Sequence, residues 1–440
     1  MHAAAPAVTA DVRLPARAVE LLETRSNSAM HSAATQLLLG WLLSMTVADQ
    51  RATSLSPAAA GAAATASAAA AGEAAAAARP EVVAWQDLEG PDLHGPDFWL
   101  EWPMDLITTI ILQGYAEPAL LEYAHANGVR VLNTDGGDCF GDPGPIPWCA
   151  NLSNATFRAE QVQMRGAAMK ASQFDGFGFD FEHVKPAMRA GIVQYVLELK
   201  QEFPELFLTF YVGVFPNKVG WLPWDGESIK QMVPALDLVI AGLYSGINAS
   251  AMPASANWSD CTGSCAVTDM REVQAALSPT LGPGWGAFVP ASKLVMGVGW
   301  YARTWGLPAA PFANRISFCQ AVALEKSLEA VGGARRLDPL ANSWFFECRH
   351  DLDNVSTWTE CLPPDAHVGH TWTTSYDDGE SLRPKYEAAK AAGWRGVAFW
   401  QADGMWPHPY MDNVTIFCKR EMDGMWSAVR DVWAPRGALA

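Results

Sequence analysis

The stretch Phe174-Asp175-Gly176-Phe177-Gly178-Phe179-Asp180-Phe181-Glu182 decides the fold of this chain. In a strand, successive side chains face opposite sides, so Phe177, Phe179 and Phe181 share one face while Gly178, Asp180 and Glu182 share the other. One face is aromatic and the other ends in two carboxylates. Desolvating unpaired carboxylates is costly, so two of them on consecutive inward positions of a buried strand point to catalysis. A half-buried antiparallel strand with a solvated acidic face shows the same alternation, but the surroundings argue against it. Asp175-Gly176 marks a turn before the strand, a helical pattern from Ala187 to Phe203 follows it, and the apolar face is wholly aromatic, as expected where helices cover a parallel sheet. The carboxylates then lie near the strand's C-terminal end, where a (β/α)8 TIM barrel builds its active site.

Outward from this strand, eight short apolar runs recur at barrel-like spacing: Val82 to Trp85, Ile107 to Leu112, Val129 to Asn133, Phe177 to Phe181, Phe207 to Val214, Leu238 to Leu243, Leu294 to Val298 and Val397 to Trp400. Helical patterns alternate with them at Pro118 to Ala126, Ala155 to Ser172, Ala187 to Phe203 and Leu382 to Ala392, which predicts the α/β class. The interval from Gly306 to Glu380 is too long for a strand-to-helix loop, so an inserted subdomain is expected between the seventh strand and its helix. A chain of 440 residues accommodates one such barrel, here 81–435.

The segment 49–80 is Ala-rich, cannot build a packed core and is expected to be a disordered linker. Before it, 1–48 reads as a lead followed by a signal peptide. Leu37 to Val47 is an apolar run of 11 residues, the length of a signal-peptide core and too short for a stable membrane span. Thr46-Val47-Ala48 offers a small-residue cleavage site, and Met30 is an alternative start. Six Asn-x-Ser/Thr sequons, at Asn151, Asn154, Asn248, Asn257, Asn354 and Asn413, are a marked excess for a chain with 12 asparagines. With eight cysteines, an even number, they imply a glycosylated, disulfide-bonded protein of the secretory pathway, lysosomal or extracellular. Local pairs such as Cys139 with Cys149 and Cys348 with Cys361 are expectations from spacing. Cys261-x-x-x-Cys265 lacks nearby His or further thiols, so no metal is expected. A net charge of −17 without clustered Lys and Arg excludes a nucleic-acid partner.

Several segments carry a resemblance. Asp175, Asp180 and Glu182 match the Asp-x-x-Asp-x-Asp-x-Glu signature of the family 18 glycoside hydrolases, the chitinases and their relatives, while Gly178 departs from it. Leu294 to Trp305 is similar to that family's seventh-strand segment and Gly396 to Trp400 to its eighth, so the resemblance runs from about Glu81 to Trp433. It implies substrate-assisted, retaining hydrolysis of GlcNAc-β1,4-GlcNAc bonds in N-glycan cores or short chitin oligomers, in which the sugar's own 2-acetamido oxygen attacks the anomeric carbon. It assigns Glu182 as the acid and later base, and Asp180 as the group that orients the acetamido N–H and raises the pKa of Glu182. Tyr244 matches the residue that hydrogen-bonds the acetamido oxygen, with Ser245 where the family usually has Asp. Trp400 matches the stacking floor, and Tyr301 and Arg303 match residues lining the product side. The partners implied are N-acetylglucosamine oligosaccharides, with no cofactor and a monomeric protein. A non-catalytic chitinase-like lectin and a broader endo-chitinase are the alternatives, and the retained Glu182 favours an enzyme.

Overall fold

The computed structural model describes residues 79–86, 98–113, 118–139, 147–216, 224–244, 266–277, 284–306, 314–350, 361–363, 370–402 and 415–434. The lead, the apolar run with its cleavage site, the Ala-rich linker, Ser245, Cys261, Cys265 and four of the six sequons lie outside these residues. Asn151 and Asn154 are described and exposed.

Eight parallel strands close into a barrel: β1 (Glu81–Gln86), β2 (Thr109–Leu112), β3 (Arg130–Asp138), β4 (Gly176–Glu182), β5 (Phe207–Val212), β6 (Leu238–Gly242), β7 (Leu294–Gly299) and β13 (Gly396–Trp400). Around the barrel the order is β1-β13-β7-β6-β5-β4-β3-β2, so each strand lies beside its sequence neighbour and β13 closes onto β1 through Val82 opposite Val397. The expected eight runs are these eight strands. Helices α1 (Pro118–Ala126), α2 (Pro147–Asn151), α3 (Ala155–Ser172), α4 (Pro186–Glu202), α5 (Gly226–Met232) and α6 (Met270–Leu277) follow β2 to β6.

The alternation of β4 is realised. Phe177, Phe179 and Phe181 are buried in the layer between strands and helices, where Phe179 meets Tyr195 of α4 edge-on at 6.1 Å and Phe181 stacks on Trp148 of α2 at 5.6 Å. The barrel's interior is a separate and smaller cluster of Val83, Trp85, Ile111, Leu132, Tyr211, Leu238, Ile240, Val295 and Ala398, with Tyr244 and Trp400 packed against it. Helix starts follow local chemistry: Asn154 Oδ1 accepts the Thr156 and Phe157 amides at 2.9 and 3.2 Å and so opens α3.

Between β7 and α8 (Gly379–Ala391) the chain builds a five-stranded antiparallel sheet from β8 (Tyr301–Gly306), β9 (Asn314–Ser317), β10 (Arg336–Asp338), β11 (Ser343–His350) and β12 (His370–Tyr376), in the order β10-β11-β12-β8-β9. Helix α7 (Phe318–Ala330) covers one face, its Phe318 meeting Tyr376 at 6.0 Å. The sheet therefore takes in Tyr301–Gly306, just ahead of the Gly306 to Glu380 interval that is too long for a loop. The segment Leu294 to Trp305 divides at Trp300, whose amide donates to the Trp400 carbonyl at 3.0 Å while its ring stacks on Phe399 at 3.8 Å. Beyond that anchor the chain leaves the barrel to pair with β12. Cys139 is bonded to Cys149 and Cys348 to Cys361, while Cys319 is bonded to Cys418 and so ties α7 to the last helix, α9 (Thr415–Trp433).

Candidate active site

Asp180 and Glu182 stand half-buried on the barrel-facing side of the last three residues of β4. The backbone beneath them is held from both sides. On the β3 side, Gly136 lies opposite Asp180 at φ +122, and a Cβ at that position would stand 2.5 Å from the Asp180 carbonyl oxygen. Only glycine permits both the positive φ and this approach. One step further, the Cys139 amide donates to the Glu182 carbonyl at 2.9 Å, and the Cys139–Cys149 bond fixes the strand that carries this donor. On the helix side, the Trp224 indole donates to the Phe181 carbonyl at 3.1 Å. The Tyr195 hydroxyl donates to buried Asp135 at 2.7 Å, and Arg165 pairs with the same carboxylate while lying over the Trp148 ring. The carbonyls of Phe181 and Glu182 are thus both held, which restricts where the Glu182 carboxyl can point.

Gly178 is the departure in the motif, and its cause is spatial. A Cβ there would stand 2.6 Å from Cγ2 of Ile111 on β2, so the isoleucine fills the volume that a side chain at 178 would need.

Opposite the carboxylates, aromatic rings line the interior. Tyr244 and Trp400 lie nearly parallel, 3° apart with centroids at 5.9 Å, and Tyr301 meets Trp400 at 5.6 Å and 88°. The Arg303 guanidinium caps the Tyr301 ring at 5.6 Å and donates to its hydroxyl at 3.3 Å. The structure thus brings together Asp180, Glu182, Tyr244, Trp400, Tyr301 and Arg303. Asp175 belongs elsewhere: its Oδ2 accepts the Val131 amide at 2.7 Å and contacts His125 Nε2 at 3.0 Å at the N-terminal end of β4, where it joins strands.

Sequence reading missed Tyr211. It faces the interior from β5 and lies with its ring 5.9 Å from that of Tyr244. Burial above all pushes both phenols well above their usual range, and the nearby Asp180 charge adds to the effect. The signal was its parity: Thr209 and Tyr211 alternate with Phe210, placing the only hydroxyls of Phe207-Leu208-Thr209-Phe210-Tyr211-Val212 on one face. Among the described residues no cluster of three or more His, Cys, Asp or Glu side chains is arranged to hold a metal.

A closed parallel barrel whose C-terminal rim joins a carboxylate pair to a wall of aromatic rings has the form of a glycoside hydrolase. The chain belongs to the glycosyl hydrolases of family 18, whose sequence model matches residues 108–404. It is 23% identical over 357 residues to di-N-acetylchitobiase of Rattus norvegicus, covering 76% of this chain and 86% of that protein. Among solved structures it resembles a chitinase from Chromobacterium violaceum, with a TM-score of 0.58 at 16% identity over 81% of this chain and all of the other. It also resembles a family 18 chitinase from Cycas revoluta crystallised with (GlcNAc)3, with a TM-score of 0.52 at 18% identity over 79% of this chain and 99% of the other.

Proposed function

We propose that the protein hydrolyses GlcNAc-β1,4-GlcNAc bonds of N-glycan cores or short chitin oligomers, with retention of configuration. The observation that carries this is the placement of Asp180 and Glu182, two residues apart on one face at the C-terminal end of β4, in a mouth walled by Tyr244, Tyr301 and Trp400. A pyranose stacked on Trp400 presents its 2-acetamido group toward Asp180 and Tyr244. Glu182 gives its proton to the glycosidic oxygen while the acetamido oxygen attacks the anomeric carbon, so the leaving sugar departs neutral and a cyclic oxazolinium remains. The Asp180 carboxylate accepts the acetamido N–H and stabilises the positive ring, and Tyr244 fixes the acetamido oxygen by a hydrogen bond. Glu182, now a carboxylate, takes a proton from water, whose oxygen attacks the same carbon and opens the ring. The two displacements leave the product β.

The family membership and the likeness to di-N-acetylchitobiase support a chitobiase-like specificity. In that specificity the inserted sheet closes the cleft beyond the reducing-end sugar, and that sugar is the one released. The domain is monomeric and acts in the secretory pathway, in lysosomes or outside the cell, after removal of the leader. Three disulfides and the exposed sequon residues Asn151 and Asn154 support that route. None of the described helices is long and apolar enough to cross a membrane.

The test is the product pattern from chitobiose, a free N-glycan, chitotetraose and chitotetraose reduced to its alditol. Release of GlcNAc from the first three, with cleavage of the alditol reduced by roughly 10⁴, is the expected result where a buried polar site reads the terminal ring. Equal rates on free and reduced chitotetraose indicate an open-groove chitinase, and binding without cleavage indicates a lectin.

A further inference from the structure

We propose that Tyr211 is a positioning residue of this reaction, holding the Tyr244 hydroxyl in line with the acetamido group; this rests on the glycosidase reading above. Strand β5 runs beside β4 with Gly178 opposite Thr209 and Phe179 opposite Phe210, so Tyr211 follows on the interior face at the level of Asp180. Its ring is wedged between Trp85, at 5.8 Å and 71°, and Tyr244, and only 8% of the residue is exposed. The two rings lie 28° from parallel, which sets their hydroxyls close enough to act on one another.

One feature shows that the interior is shaped around the Tyr211 hydroxyl. On β6, Gly242 leaves the room that the phenol occupies, because a Cβ there would stand 2.6 Å from Tyr211 Cζ and collide with the hydroxyl itself. A phenylalanine would fill the same volume if packing were the sole requirement, and a buried phenolic O–H has to be satisfied. Burial first, and then the Asp180 and Glu182 charges, oppose ionisation of the Tyr211 hydroxyl, so it remains a neutral O–H. Two neutral hydroxyls held side by side restrict each other's rotation, so Tyr211 limits the directions in which the Tyr244 hydroxyl can face the substrate.

The test compares Tyr211→Phe with Gly242→Ala, which keeps the hydroxyl but pushes it aside. Both are expected to lower kcat on chitobiose by about 10- to 100-fold with KM within about twofold of wild type, the pattern of an interaction that matters in the transition state. Calorimetry gives an independent readout: Tyr211→Phe is expected to lose about tenfold in affinity for a GlcNAc thiazoline, the stable mimic of the cyclised intermediate, and nothing for GlcNAc. If Tyr211→Phe fails to fold, a fall in kcat at constant KM in Gly242→Ala supports the role. Wild-type kcat and thiazoline affinity in a folded Tyr211→Phe, or in Gly242→Ala should the first variant not fold, overturn it while leaving the glycosidase reading intact. A wild-type protein that neither cleaves chitobiose nor binds the thiazoline overturns both.

Discussion

Ile111 occupies the place of a side chain at residue 178: the nearest methyl of the isoleucine stands 2.6 Å from where a Cβ on Gly178 would be. The missing motif carboxylate is therefore a consequence of what β2 sends into the barrel as much as of what β4 lacks. Gly178→Asp alone is expected to destabilise the fold by about 1–3 kcal/mol through overpacking. In the double variant with Ile111→Ala, the total loss is expected to fall short of the sum of the single losses by roughly 1 to 3 kcal/mol. Denaturant unfolding of the four proteins checks this, and strict additivity contradicts it.

Glu182→Gln keeps shape and volume and removes only the transferable proton. Turnover is expected to fall by about 10²- to 10⁴-fold with the unfolding midpoint unchanged. Undiminished turnover in the folded variant removes Glu182 from its role.

Lys385 and Asp377 form a wholly buried ion pair at 2.6 Å, with both side chains at 0% exposure, joining α8 to the inserted sheet through Ser343. Lys385→Met leaves the carboxylate uncompensated and is expected to cost about 3–5 kcal/mol. Lys385→Met combined with Asp377→Asn removes both charges while the amide oxygen still accepts from Ser343 and Ser381, so its loss is expected to be the smaller. Thermal or denaturant unfolding compares the two, and a double variant as unstable as the single one contradicts the charge-burial account.

Asp225 caps α5 by accepting the Ser228 amide and hydroxyl, each at 2.7 Å, and pairs with Arg189 at 2.7 Å. Burial pushes its carboxyl up, but the Ser228 hydrogen bonds and the Arg189 charge outweigh burial and hold it below its ordinary 3.8. A carboxyl lowered by folding binds fewer protons in the native state, so its stabilisation is present above 3.8 and is lost as pH falls through the lowered value. Asp225 therefore stays charged and capping at mildly acidic pH. Asp225→Asn is expected to flatten the acid limb of a stability–pH profile without changing its slope above pH ~5. An unchanged acid limb contradicts this.

The barrel was legible because its signals are local. Each interior run is short and apolar, β4 announces both its faces by alternation, and the motif places Asp180, Glu182, Tyr244 and Trp400 on strand ends. The inserted sheet was legible only as an interval too long to be a loop. Its strands, such as Ser343–His350 against His370–Tyr376, are defined by antiparallel partners far away in sequence and covered by α7 on one face, which no local period records. Asp175 sat in the motif yet serves strand joining, because its carboxyl reaches the Val131 amide at the far end of β4. The role of Gly178 was opaque for a related reason: the residue that decides it, Ile111, lies two strands away.

The anomeric configuration of the first product tests the mechanism most directly. Proton NMR at early times after adding enzyme to chitobiose, before mutarotation, reads the newly formed GlcNAc. Attack by the acetamido oxygen followed by water predicts a β-enriched signal that decays toward equilibrium, with no reaction from the analogue carrying a 2-hydroxyl in place of the acetamide. An α-enriched first product, or cleavage of the 2-hydroxyl analogue at a comparable rate, contradicts substrate assistance at Asp180 and Glu182.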